Sequence, residues 1–270
     1  MGELDGKVAI ITGAGRRRGI GYSTAMALAR LGADIVVTGT GRDPSTFPPD
    51  EKEIGWRDVD STADEVRAVG RKALSMVVDV TDVKQTEGLI SKTVSEFGRA
   101  DILINNAAVA IGADRAPIVD VDPDIFQRVL DVKVRGMYLC SRAFIPQVIT
   151  QGQGGKIVSV ASSAGKRGAA NAAAYNAANF AVVGMTQSLA HEIGKHQINV
   201  NTVCPAAVDT ARMDKFGRGS EWQERAALHP IGRAGTPEEV GNFMGFLCTE
   251  AASWIHGQSI NIDGGMVMEH

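Results

Sequence analysis

The sequence predicts a doubly wound α/β fold, a parallel sheet of about seven strands with helices on both faces, in one domain over residues 1–270. Three observations lead there. Short β-rich runs alternate with longer helical stretches along the whole chain. The β-rich runs are apolar on both faces, as strands must be when helices cover both sides of a parallel sheet. The first of them passes through a glycine-rich turn into the first helix.

The elements follow in order. KVAIITG (7–13) is a short β-rich run stopped by glycine, Ile20 to Leu31 is a helix, and ADIVVTG (33–39) is the second strand. Asp60 to Val69 is helical and ALSMVVDV (73–80) extended; Val83 to Phe97 is helical and DILINNAA (101–108) extended. A long helix is expected over Pro123 to Gln147, then the strand KIVSVASS (156–163). Tyr175 to Ile193 is a helix, INVNTVCP (198–205) a strand, Pro237 to Leu247 a short helix, and SINIDGG (259–265) the last strand. Two stretches are irregular, an insertion at 41–59 and a region at about 206–236. Loops of that length in a compact domain carry function or move.

Bulk composition removes several classes. Hydrophobic residues make up 44% and charged residues 22%, ordinary for a soluble globular chain. A formal net charge of -3 gives no electrostatic case for nucleic acid or an anionic membrane. No secretory leader is read in MGELDGKVAIITG, and no apolar run has the length of a membrane span. Cys140, Cys204 and Cys248 are far apart and fit no metal or redox spacing, so a reduced, cytoplasmic setting is expected. HEIGKH (191–196) spaces its histidines five apart, off a common helical face, so no metal site is expected. No G-x-S-x-G element makes Ser162 a hydrolase nucleophile.

The first strand runs into TGAGRRRGIG, Thr12 to Gly21. Glycines there permit a tight turn and close approach of backbone to a pyrophosphate, and the helix that follows offers its N–H groups and dipole. Further along come Asp79-Val80, Asn105-Asn106-Ala107, Ser162 with Tyr175 thirteen residues later, Asn201…Pro205…Thr210, and Asp263-Gly264-Gly265. In that order, over about residues 5–266, the chain resembles the single-domain short-chain dehydrogenases/reductases. The resemblance implies a Rossmann-like fold, a nicotinamide cofactor, and reversible hydride transfer between a ketone or other carbonyl and a secondary alcohol. By the same resemblance the cofactor would meet Gly13, Arg18, Gly19, Ile20, Gly21, Arg42, Asp79, Val80, Asn106, Ala107, Tyr175, Asn179, Pro205, Val208 and Thr210. The region holding Met213, Phe216 and Trp222 would cover a small-molecule substrate. The helices around 123–147 and 175–193 would pair copies into a homo-oligomer, a dimer or tetramer. The chain departs from the family pattern in a glycine loop two residues longer and in Ala108 and Ala206, where glycine is usual. Alanine resists positive φ, so altered local backbone is expected there.

In NAD sites an acid at the end of the second strand binds the ribose 2′-OH. That position is Gly39, with Arg42 just beyond and Arg18 immediately before Gly19. Arginine suits a phosphate by charge and shape, so NADP(H) is the expected cofactor. The alternative is NAD(H), with the arginines solvated and Asp43 on the 2′-OH.

The resemblance gives Ser162 the carbonyl oxygen and Tyr175 the proton transfer. A free phenol, with a pKa of about 10, is a poor base near neutrality, and the family sets a lysine four residues after the tyrosine to help it. Here that residue is Asn179, on the same helical face as Tyr175. In the other long helix, where the family usually has asparagine, stands Lys133. The reciprocal exchange predicts a rewired site, with Lys133 supplying charge and proton path and Asn179 holding ribose. The alternative is a catalytically weak or inactive dinucleotide-binding protein, a sensor or scaffold.

Overall fold

The computed structural model describes residues 2–268. Seven strands, β1 (Val8–Thr12), β2 (Asp34–Gly39), β3 (Ala73–Val77), β4 (Ile102–Asn105), β5 (Gly155–Val160), β6 (Ile198–Pro205) and β7 (Ser259–Ile262), form one parallel sheet in the order β3-β2-β1-β4-β5-β6-β7. Ile10 stands opposite Val36 on one side and Leu103 on the other, so β1 is central. The winding reverses between β1 and β4. Loops leaving those strand ends diverge, and a crevice opens at their carboxyl ends.

Alternate side chains of the strands feed two cores. On one face Ala9, Ile11, Ile35 and Val37 pack with Leu28 of α1 (Ile20–Arg30), Val66 of α3 (Val59–Ala68) and Met244 of α9 (Pro237–Leu247). On the other, Val8, Ile10, Val36 and Leu103 pack with Leu89 of α4 (Val83–Phe97), Phe144 of α6 (Gly136–Gln151) and Ile193 of α7 (Ala173–Ile193). Each fully buried side chain of this size contributes roughly 1.5–3 kcal/mol. The two cores hold the strand ends rigidly, and the functional loops hang from them. The edge strand β3 is only half-buried, unlike the fully covered strands inside the sheet.

Four segments differ from expectation. The irregular stretches contain short helices, α2 (Pro49–Glu53) in the first and α8 (Ser220–Ala227) in the second. The strand expected over 156–163 stops at Val160, so Ser162 heads a short 3-10 turn, Ser163–Gly165. The long helix expected over 123–147 is divided. α5 (Pro123–Leu130) and α6 are joined by a π-helical turn, Asp131–Arg135, in which the Gly136 amide donates to the Asp131 carbonyl. The wider turn inserts one residue per revolution, and Lys133 lies at its middle, buried. Ala108 and Ala206 keep negative φ; among the described residues only Asp58, Asn171 and Gln197 combine positive φ with a side chain.

Candidate active site

The carboxyl ends of the central strands open into a cavity of about 1160 Å³. The Thr12 hydroxyl donates to the Ile104 carbonyl (3.2 Å) and accepts from the amides of Asn106 (3.0 Å) and Ala107 (3.1 Å), locking the end of β1 to the end of β4. Asn106 Nδ2 donates to the Thr12 and Gly13 carbonyls, both at 2.9 Å. Gly13 has φ +69°, and a Cβ there would lie 2.9 Å from Ala107 Cα, so only glycine lets the loop fold this closely. α1 begins at Gly19 without a side-chain cap, leaving its first amides to face the cavity. This uncapped helix end and glycine cradle fit the pyrophosphate of a dinucleotide. Every residue expected to meet the cofactor lines the cavity except Asn179.

At the end near β2, neither expected arginine is a free cation. Arg18 is clamped by Asp50 (2.9 Å) and Asp214 (2.6 Å), whose hydrogen bonds raise its pKa further. Arg42 bonds Asp58 (3.0 Å), Glu51 (3.3 Å) and the Gly15 carbonyl (3.1 Å), and its guanidinium stacks on Phe47. Asp43 is exposed and caps the turn at Pro44–Thr46 instead of facing the cavity. Beside β2 the carboxylate that lines the cavity is Asp58. It sits against Gly15 and Gly39; a Cβ on Gly39 would lie 3.5 Å from Asp58 Oδ2. Asp58 is held at φ 56° and ψ -129°, a conformation that costs a side-chain-bearing residue about 1–3 kcal/mol. Nothing in the spacing of the sequence identified it, because it comes from the start of α3 and not from β2.

At the opposite end, Ser162 and Tyr175 line the same cavity. Ser162 Oγ accepts from the Ala164 amide (3.2 Å), which leaves its proton free to donate. α7 is anchored beside it by Asn176 Nδ2, which donates to the carbonyls of Ala164 (2.7 Å) and Arg167 (2.8 Å). Asn179 does not reach the cavity. It is fully buried, its Nδ2 donates to the Tyr175 carbonyl one turn back (2.8 Å), and its Oδ1 has no partner. The helical face was read correctly, but the short amide ends before the cavity, so the expected ribose contact is corrected.

Two arginines unforeseen in the sequence surround Tyr175. Arg115 Cζ lies 3.8 Å from the ring centroid and Arg212 Cζ lies 5.7 Å away. Arg115 is paired with Asp114 at 2.9 Å. Arg212 is partly buried, makes no hydrogen bond or ion pair to another described residue, and burial depresses its pKa. Arg212 stands two residues beyond Thr210, in the irregular region, but sequence gives no sign of which way it turns. Lys133 lines the cavity too, and burial pushes its ammonium down to about 7, with Arg212 adding to the shift and Cys204 opposing it. Lys133 is therefore not the constant cation expected from the exchange.

That depression has a consequence for stability. Between about pH 7 and about pH 10.5 the unfolded chain holds the lysine proton that the folded chain has lost, so this group makes stability rise with pH there. Its cost to folding is full below about 7 and fades towards 10.5. Lys133→Met is expected to stabilise by several kcal/mol at about pH 6, and by about 1.4 kcal/mol less per pH unit above 7. Urea unfolding of both proteins at about pH 6 and about pH 9 checks this; equal gaps at the two pH values would contradict it.

A family model described as Enoyl-(Acyl carrier protein) reductase matches residues 13–267. A short-chain dehydrogenase/reductase of Armillaria gallica is 34% identical, covering 98% of this chain and 97% of its own. Galactitol 2-dehydrogenase of Agrobacterium fabrum is 34% identical over 97% and 98%. 2-Dehydro-3-deoxy-D-gluconate 5-dehydrogenase of Dickeya dadantii is 33% identical over 97% and 96%. The structure of carveol dehydrogenase from Mycobacterium avium in complex with NAD superposes with a TM-score of 0.88 at 28% identity over the whole of both chains. With the glycine cradle and the parallel sheet already described, these matches establish that the chain belongs to the short-chain dehydrogenase/reductase family and is a dinucleotide-dependent oxidoreductase of alcohols and carbonyls.

Proposed function

We propose that the chain interconverts a small polar ketone and a secondary alcohol, with Tyr175 as acid–base group and Ser162 on the reacting oxygen. The supporting observation is that both side chains share one cavity with the glycine loop. A bound nicotinamide supplies or accepts the hydride. Ser162 donates to the carbonyl oxygen, and Tyr175 gives that oxygen its proton as the alcohol forms or takes it back in reverse. Arg212 and Arg115, whose guanidiniums face the Tyr175 ring, place positive charge beside the substrate oxygen that reacts there. The lysine four residues after the tyrosine is thus replaced by cations from other segments. Relatives named for galactitol and for 2-dehydro-3-deoxy-D-gluconate support the small polar substrate.

For the cofactor, the pairing of Arg18 and Arg42 argues for NAD(H) over the NADP(H) expected from sequence. A 2′-phosphate would meet Asp58 and displace Arg42 from two carboxylates, whereas a 2′-hydroxyl finds an acceptor in Asp58. NADH is expected to bind at least about tenfold more tightly than NADPH, roughly 1.4 kcal/mol. Asp58→Asn should narrow the ratio. Fluorescence titration measures it, and tighter NADPH binding by the unmodified protein would overturn the assignment.

Tyr138 on α6 and Phe180 on α7 are 51% and 46% exposed, which supports self-association into a dimer or tetramer through these helices. Cys140, Cys204 and Cys248 are buried, and none forms a disulfide among the described residues. Among the described residues no helix is long and apolar enough to cross a membrane.

A further inference from the structure

We infer that the substrate carries a carboxylate on the carbon next to the reacting carbonyl, or one carbon further, and that Arg212 binds it; this rests on the hydride-transfer reading above. The cavity is chemically divided. Among the described residues its lining carboxylates are Asp58 and Asp79, at the dinucleotide end. Towards Ser162 and Tyr175 it is lined by Arg115, Lys133, Arg167, Arg212, Lys215 and Arg225, with no acid among the described residues. Most of these need no ligand: Arg115 is held by Asp114 and Arg225 by Glu221, and Arg167 and Lys215 are exposed. Arg212 is different. It lies beside the Tyr175 ring, partly buried, and has neither ion pair nor hydrogen bond among the described residues.

A partly buried guanidinium with no anion paired to it is best met by a carboxylate, because both oxygens accept from the planar fork. The same anion would offset the repulsion that Arg212 exerts on protonated Lys133. A neutral ketone brings no such anion. The position of Arg212 beside the tyrosine ring limits the carboxylate to a short distance from the carbonyl. A substituent further along the chain would lie beyond it.

The test uses the full-length protein saturated with NAD. 2-Hydroxy-2-methylpropanoate, a hydroxy acid with no hydrogen to transfer, and its neutral amide are titrated by calorimetry into the unmodified protein, Arg212→Gln and Arg212→Lys. The acid is expected to bind at least about tenfold more tightly than the amide. Arg212→Gln should lower its affinity by about 10- to 100-fold, and Arg212→Lys should keep part of it. NADH affinity should stay unchanged throughout. Equal binding of acid and amide by the unmodified protein overturns the inference even if the variants fail to fold. So does a loss in Arg212→Gln that falls on NADH, which would assign Arg212 to the cofactor phosphates. Short oxo acids and their methyl esters are then compared as substrates. Turnover without preference for the acid overturns the anion site and leaves the reaction standing. Acid binding without turnover of any oxo compound overturns the reaction and leaves the anion site standing.

Discussion

Tyr175→Phe is expected to lose about 10² to 10⁴ of turnover while NADH affinity stays within about threefold. The ring is what packs: it is half-buried on α7 and faces the Arg115 guanidinium, and phenylalanine keeps both contacts. The hydroxyl makes no hydrogen bond to another described residue, so its removal leaves no buried partner stranded. The loss should fall on kcat with little change in KM, because the proton moves only in the chemical step. Steady-state nicotinamide absorbance with a panel of ketones, oxo acids and secondary alcohols measures it. A variant retaining turnover within about tenfold would mean that another group, Lys133 first among them, carries the proton.

Asn179→Lys, the change that restores the family residue, is expected to damage this protein. Position 179 is fully buried against the 3-10 turn, where a Cβ on Gly165 would already lie 2.8 Å from the Asn179 carbonyl oxygen. Among the described residues no carboxylate lines the cavity near Tyr175, and Arg212, with Lys133 partly protonated near pH 7, already brings positive charge there. A third cation there is uncompensated, which costs on the order of 3–5 kcal/mol if it stays charged. Unfolding midpoints should fall accordingly, and activity should not rise. Lys133→Asn combined with Asn179→Lys removes one cation as it adds another, and should recover part of the stability lost. Non-additivity between the two sites is expected because they share one field.

The sheet was legible because its strands are continuous apolar runs separated by helical ones, a pattern that survives shifts of a few residues at each end. The glycine loop was legible because strand, turn and helix had to follow one another for the loop to work. The π turn at Asp131–Arg135 was not, since its residues suit an ordinary helix and only packing decides that one extra residue enters the turn. At the site, spacing placed Asn179 on the tyrosine's face, but spacing says nothing about side-chain reach. Arg42 read as a phosphate ligand because the two carboxylates that hold it, Glu51 and Asp58, belong to the irregular stretch whose path sequence does not give. Arg212 was hidden for the same reason. Charge balance in a cavity is assembled from segments distant in sequence, and only the folded chain shows which basic residues are already paired.

The most direct test of whether this site works as built, without the lysine after its tyrosine, is to measure turnover of the unmodified protein beside Asn179→Lys, with the same substrate panel and both nicotinamide cofactors. The unmodified chain should turn over with NADH, and the variant should be slower. A silent unmodified chain, with a variant at least about a hundredfold more active, would instead describe a member of the family disabled by loss of its lysine.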